Sequence, residues 1–190
     1  MVIDNRSDTL AATVDALRRG GVVAYPTEAV WGLGCDPFDE RAVMRLLALK
    51  RRPVNKGLIL IAASPAQLAP LVAWETMPAS RRDTVLESWP GPHTWTVPVT
   101  TRVPTWIRGA HASVAVRVSD HPTVIALCTA FGGPLVSTSA NLAGQPPAFR
   151  RAELDPALAG LLDAICEGET GGLAAPTPIR DAMSGEVLRP

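Results

Sequence analysis

Apolar positions along the chain switch between two spacings. Leu10, Val14 and Leu17 recur on one helical face, with Ser7 ahead of them as a cap and Gly20 and Gly21 behind as a stop. "VVAY" at 22 to 25 is apolar throughout, as a strand covered on both faces must be. Helical spacing returns in "DERAVMRLLALK", where Asp39 caps, Val43, Met44, Leu46 and Leu47 keep register, and Pro53 forbids continuation. Further strands are expected at "LILIA" (58 to 62), "TWTVPV" (94 to 99), "SVAVRV" (113 to 118), "PLVSTS" (134 to 139) and the closing "EVLR". Between them, Ser64, Pro65 and Gln67 form a capping-box-like helix start, and Ser80 to Ser88 predict a helix ended by the Pro90-Gly91-Pro92 turn. Asp120 with Pro122 opens another, through Ile125, Ala126 and Leu127, that stops at Gly132 and Gly133.

Helices alternate with strands that are apolar on both faces, which predicts an α/β sheet covered by helices. The hairpin-like spacing of some strands makes the expected sheet mixed instead of purely parallel. At 190 residues, with no repeat, low-complexity tract or long linker, residues 1–190 read as a single domain. No apolar run approaches the roughly 20 residues that a membrane helix needs. The opening MVIDNRSDTL has neither the basic start nor the apolar stretch of an export signal, so a cytoplasmic address is expected.

The net charge of zero conceals a polarity along the chain. Residues 41 to 117 hold eleven Lys or Arg against three acids, whereas residues 153 to 190 hold two against seven. A basic block of this kind is either a solvated face or the footprint of an anion or nucleic-acid site. Cys35, Cys128 and Cys166 lie far apart in no ligand pattern, as do His93, His111 and His121, and structural roles are expected for all six.

Three stretches place chemistry at the ends of elements. In "YPTEAVWGLG", Pro26 breaks a strand and leaves Thr27 and Glu28 exposed at its carboxyl edge, a turn or a ligand site. "LKRRPVNKG" gathers Lys50, Arg51, Arg52 and Lys56 where a helix ends, more cations than the helix dipole alone would favour. "PLVSTSAN" ends a strand in Ser137, Thr138, Ser139 and Asn141, which are helix caps or donors and acceptors for phosphate, ribose or an amino-acid head group. Arg117, inside an otherwise apolar strand, requires a partner anion, and a ligand carboxylate would serve. No phosphate-loop, nucleophile-elbow or zinc-helix motif is present, and "GLGCDP" lacks the third glycine of a dinucleotide fingerprint. These features describe a site for an anionic small molecule and name no reaction.

The blocks "YPTEAVWGLG", "LKRRPVNKGLILI", "WPGPHTWTVP", "SVAVRVSDHP", "PLVSTSANLAGQPP" and "TPIRDAMSGEVLR", in this order, resemble the YrdC/TsaC family, the L-threonylcarbamoyladenylate synthases, in its short single-domain form. The resemblance implies a twisted, open mixed sheet with flanking helices around a basic concave site. It implies formation of threonylcarbamoyl-AMP and pyrophosphate from L-threonine, bicarbonate and ATP with Mg2+. The product would pass to partner proteins that modify tRNA, with tRNA binding by the chain itself an open possibility and no membrane role. By similarity, Lys50 and Arg52 are the catalytic pair on the phosphates, with Lys56 assisting. Thr27, Arg117, Ser137 and Thr177 are expected on threonine, and Ser113, Ser139, Asn141 and Arg189 on the nucleotide. Longer family members carry a histidine in the strand after the basic loop, where this chain has the apolar run Leu58 to Ile61. "TPIRD" likewise puts Thr177 and Pro178 where the family more often has Ser-Thr. An RNA-binding module is the alternative that the basic segment 41 to 56 leaves open, although the 5% aromatic content offers little for base stacking.

Overall fold

The computed structural model describes residues 5–190, with side chains from residue 8 onward. The elements run α1 (Asn5–Arg18), β1 (Val23–Pro26), β2 (Trp31–Gly34), α2 (Glu40–Lys50), β3 (Ile59–Ala62), α3 (Pro65–Leu68), α4 (Ala79–Glu87) and β4 (Thr94–Pro98). They continue with α5 (Thr105–Arg108), β5 (Ser113–Val118), α6 (Pro122–Phe131), β6 (Leu135–Ser139), α7 (Pro156–Ala159), β7 (Ala164–Ile165), β8 (Ile179–Asp181) and β9 (Val187–Arg189). The strands join in one sheet of order β7-β1-β2-β6-β3-β5-β4-β8-β9. Three pairs are parallel (β1 with β7, β3 with β5, β4 with β8) and the other five antiparallel, so the sheet is mixed as expected.

Side chains alternate between the two faces of a strand, and the two apolar clusters follow that rule. Leu60 and Val136 pack on one face with Val43, Leu46 and Leu47 of α2, Val85 of α4 and Ile107 of α5. Their neighbours Ile61 and Leu135 point to the other face, where α1 supplies Val14 and Leu17 and α6 supplies Val124 and Leu127. Each of these residues is at most 4% exposed. Burial on both sides explains why these strands are apolar without interruption.

Several local expectations change. The cap expected at Ser7 is not at the start of α1, which lies at Asn5, and the Ser7 side chain is outside the described residues, as are residues 1–4 of the opening read for an export signal. Asp39 caps α2 through Arg41 N at 2.9 Å and Ala42 N at 3.2 Å. Ser64 makes no side-chain cap bond; Gln67 instead accepts from Ala63 N and donates to the Cys128 carbonyl, fastening α3 to α6. Asp120 does not cap α6 either: His121 stands at that position, also without a side-chain cap bond. β2 is an additional strand inside "YPTEAVWGLG", making a hairpin with β1 in which Pro26 faces Trp31.

One strand determines where the site lies. The first part of β6 pairs with β3, Leu135 opposite Ile61 and Ser137 opposite Ile59. On its other edge β6 runs beside β2, with Val136 N donating to Cys35 O at 3.0 Å, Thr138 opposite Leu33 and Ser139 opposite Gly32, and this pairing continues after the one with β3 has ended. Before Ile59 the chain has left the ladder, and Leu58 N donates to Ile107 O at 2.9 Å. The sheet therefore opens between β3 and β6 beyond Ser137.

Candidate functional site

A cavity of about 870 Å³ occupies that opening, within the range of small-molecule sites. Lys50, Arg52, Lys56 and Ser113 line it together with Thr27, Arg117, Ser137 and Thr177 and with Ser139, Asn141 and Arg189. Of the residues singled out at element ends, all but Glu28 thus meet in one place. Seven lysines and arginines line the cavity against one acid, Asp181, so the site is built for an anion.

The basic loop begins where α2 is forced to stop. Arg51 takes a left-handed conformation at φ 50°, the one non-glycine residue with positive φ among the described residues, and this turns the chain back toward the sheet. Lys50, 5% exposed, donates from Nζ to Ser139 O at 2.5 Å and to Asn141 O at 2.8 Å. Burial, helped by the neighbouring Arg52, lowers its pKa from 10.5 to about 8. Arg52 donates from Nη2 to Gly57 O at 2.9 Å, while its Nε is buried with no partner. Burial lowers the Arg52 pKa as well. Lys56, exposed at the mouth, ends a 3-10 turn over Val54–Lys56.

This loop is gauged against the end of α5. Gly109 has φ 63°, and a Cβ there would meet Asn55 O at 2.5 Å and Gly57 N at 2.7 Å. Only a glycine lets the two backbones approach so closely. Ala110 N to Asn55 O at 3.1 Å closes the contact.

On the opposite wall, Thr27 and Glu28 are 3% and 5% exposed, which corrects the exposed edge expected from the sequence. The β1–β2 hairpin folds back over them, and the Thr27 hydroxyl donates to Val30 O at 2.7 Å. Arg117 has its partner anion within the chain: Nη1 lies 3.1 Å from Glu28 Oε2. The Glu28 Oε1 accepts from Ser119 Oγ at 2.6 Å. Arg117 Nε remains buried without a partner. Ser137, 4% exposed, neighbours the Tyr25 hydroxyl, whose ionisation burial pushes far up, so that phenol stays neutral.

The chain's end supplies the third wall. Thr177 is buried, and its carbonyl accepts from Arg189 Nη2 at 3.2 Å. Burial lowers the Arg189 pKa, and repulsion from Arg117 and Arg52 adds to this. Arg189 is therefore held close enough to Arg117 and Arg52 to be repelled by both, an arrangement that a bound polyanion relieves. Ser113 begins β5 at the same rim. Asp181 is pushed up by burial, but hydrogen bonds from Ser184 and Met183 amides hold it below the usual carboxylate range. Sequence reasoning missed Asp181, and also Arg108 and His111, which line the cavity from α5 and the turn after it. Their one signal was a basic residue beside Gly109 at a helix end. Asn141 donates from Nδ2 to the carbonyls of Leu142 and Gln145 at the rim, and its Oδ1 lies 3.4 Å from Lys50 Nζ.

A family model named Sua5/YciO/YrdC and described as telomere recombination matches residues 15–190. A threonylcarbamoyl-AMP synthase of Stenotrophomonas maltophilia is 61% identical over 95% of this chain and 97% of its own length. Its counterpart in Xanthomonas euvesicatoria is 60% identical over 95% and 96%. Among solved structures, P. abyssi Sua5 complexed with L-threonine superposes with a TM-score of 0.84 at 31% identity, covering 90% of this chain; the chain spans 50% of that protein. Six ordered sequence blocks, a split mixed sheet and these matches agree: the chain belongs to the Sua5/YciO/YrdC family.

Proposed function

We propose that this chain is a threonylcarbamoyl-AMP synthase, a nucleotidyltransferase that converts L-threonine, bicarbonate and ATP into L-threonylcarbamoyl-AMP and pyrophosphate for tRNA modification. The observation that carries the reading is one cavity that gathers the cations Lys50, Arg52, Lys56, Arg117 and Arg189 with the hydroxyls of Thr27, Ser137 and Thr177. Such a lining suits a triphosphate together with the carboxylate and hydroxyl of an amino acid. The names of the close relatives, and the threonine bound by the P. abyssi protein, support the same assignment.

In this reading bicarbonate loses water to give carbon dioxide, the free threonine amine adds to it and releases a proton to become a carbamate, and a carbamate oxygen attacks the α-phosphorus and expels pyrophosphate. Such transfers depend on positioning and charge neutralisation, so the enzyme needs no nucleophile of its own. Lys50 and Arg52 would neutralise the phosphates, with Lys56 reaching in from the mouth. Ser139, Asn141, Ser113 and Arg189 would hold the nucleotide, and Thr27, Arg117, Ser137 and Thr177 the amino acid. Magnesium would ride on the triphosphate oxygens, since Asp181 is the single carboxylate lining the cavity and its oxygens already accept from Thr96, Met183 and Ser184. The enzyme would act in the cytoplasm and hand its adenylate to tRNA-modifying partners. Among the described residues no helix is long and apolar enough to cross a membrane. Cations converging inside a concave site favour a compact anion over the extended backbone of RNA.

Incubation with ATP, magnesium, bicarbonate and threonine tests the proposal. Pyrophosphate release that requires threonine is the expected result. Release independent of threonine, or none at all, overturns it.

A further inference from the structure

We propose that Glu28 is a positioning residue, holding Arg117 by one amino group so that the remaining edge of its guanidinium is reserved for the carboxylate of the amino-acid substrate. The inference rests on the threonine reading above. Glu28 Oε2 lies 3.1 Å from Arg117 Nη1, and the two side chains are 6% and 7% exposed. The Arg117 Nε is buried and has no partner. In a guanidinium group, Nε and Nη2 share one edge whose two N–H vectors match the two oxygens of a carboxylate. Glu28 thus occupies the one nitrogen outside that edge.

Glu28 is itself fixed from several directions. Ser119 Oγ donates to its Oε1 at 2.6 Å and accepts from His121 N at 3.1 Å. Its backbone is strapped down by residues 169–173: Gly171 N donates to Thr27 O at 3.0 Å and Leu173 N to Glu28 O at 3.2 Å. His121 Nε2 holds the same strap at Glu169 O, 2.9 Å away. At Gly171 a Cβ would sit 2.8 Å from Glu28 O, so the strap lies as close as a backbone can.

The arrangement solves a problem of competition. Arg117 shares the cavity with Arg52 and Arg189, on the side where a triphosphate would bring several negative charges. A free arginine would be drawn to those phosphates in preference to a single carboxylate. The buried Glu28 anchors it at the amino-acid end and offsets one of the three repelling cations.

The test compares wild type, Glu28→Gln, Ser119→Ala, Arg117→Ala and the Glu28→Gln/Arg117→Ala pair. Threonine and ATP KM values and kcat come from pyrophosphate release, and threonine affinity from calorimetry. Glu28→Gln is expected to raise the threonine KM about tenfold to a hundredfold, the span of one charged hydrogen bond, while the ATP KM moves less than about twofold. Ser119→Ala, which leaves the charge and loosens only its anchor, should raise the threonine KM about threefold. In the Arg117→Ala background, Glu28→Gln should cause no further loss, because Glu28 acts through Arg117. The proposal is overturned by losses that add in the pair, by threonine and ATP KM values that rise together, or by a threonine KM unmoved in Ser119→Ala and Glu28→Gln. Should Glu28→Gln fail to fold, Ser119→Ala alone decides. A wild-type chain that neither binds nor consumes threonine refutes the function itself, and this proposal with it.

Discussion

Lys50 Nζ lies 2.8 Å from the carbonyl oxygen of Asn141, 91 positions further along the chain. The first cation of the basic loop is therefore fastened to the end of β6, so the same side chain joins two walls of the cavity. Lys50→Met, which keeps the apolar stem, should lower threonine-dependent pyrophosphate release by at least about a hundredfold. It should also lower unfolding stability by about 1–3 kcal/mol, because the carbonyls of Ser139 and Asn141 lose a charged donor. Steady-state kinetics and urea unfolding measure the two effects separately.

The same lysine predicts a proton effect. Its pKa of about 8 lies below the ordinary 10.5, so between these values the unfolded chain binds more protons than the folded one. Stability contributed by this group therefore rises with pH across that window, and the slope should vanish in Lys50→Met. Phosphates favour the ammonium form, so ATP binding near pH 9 should take up part of a proton. Calorimetry in two buffers of different ionisation enthalpy reads that uptake, which should be missing in the variant.

Arg52 is held for a ligand at the expense of the free protein. Its Nε is buried without a partner, and burial disfavours its charge. Arg52→Met should leave the unliganded melting temperature unchanged or raise it. Saturating ATP, which at about a hundred times its Kd adds about 2.7 kcal/mol to the wild type, should stabilise this variant far less. Thermal melts with and without ATP decide.

Gly109 tests whether the basic loop works as a rigid piece. Gly109→Ala puts a Cβ against Asn55 O and Gly57 N at a left-handed φ. Destabilisation of about 1–3 kcal/mol is expected. Arg52 is tied to Gly57 O, so the ATP KM should rise more than the threonine KM. An ATP KM equal to wild type would show that the loop tolerates the shift.

The strands and helices that were legible in the sequence share a physical trait. β3, β5 and β6 sit in the middle of the sheet with helices on both faces, so their sequences are dominated by apolar residues. β2 was not legible, because "WGLG" is half glycine and its strand character comes from partners on either side, β1 and β6. β7 and β8 have two and three residues, too short to show any period. The candidate residues could be gathered from motifs, but the way they are held could not. Nothing local links Glu28 to Arg117, which are 89 positions apart, or shows that the Lys50 ammonium would be spent on backbone carbonyls. Asp181 was hidden for a similar reason: its place at the cavity depends on β8 pairing with β4.

The early end of the ladder between β3 and β6 has a consequence for how the site could be closed or enlarged. The depth of the cavity is set by how many rungs β3 and β6 share, and they stop sharing at Ile59 and Ser137. Beyond that rung the Ser139 carbonyl is met by the Lys50 ammonium and the Asn141 amide, not by a strand. Were β3 to run on alongside Thr138 and Ser139, the ligands would have no room. Binding capacity in this fold is thus an unfinished piece of sheet, with a lysine standing where the next rung would be.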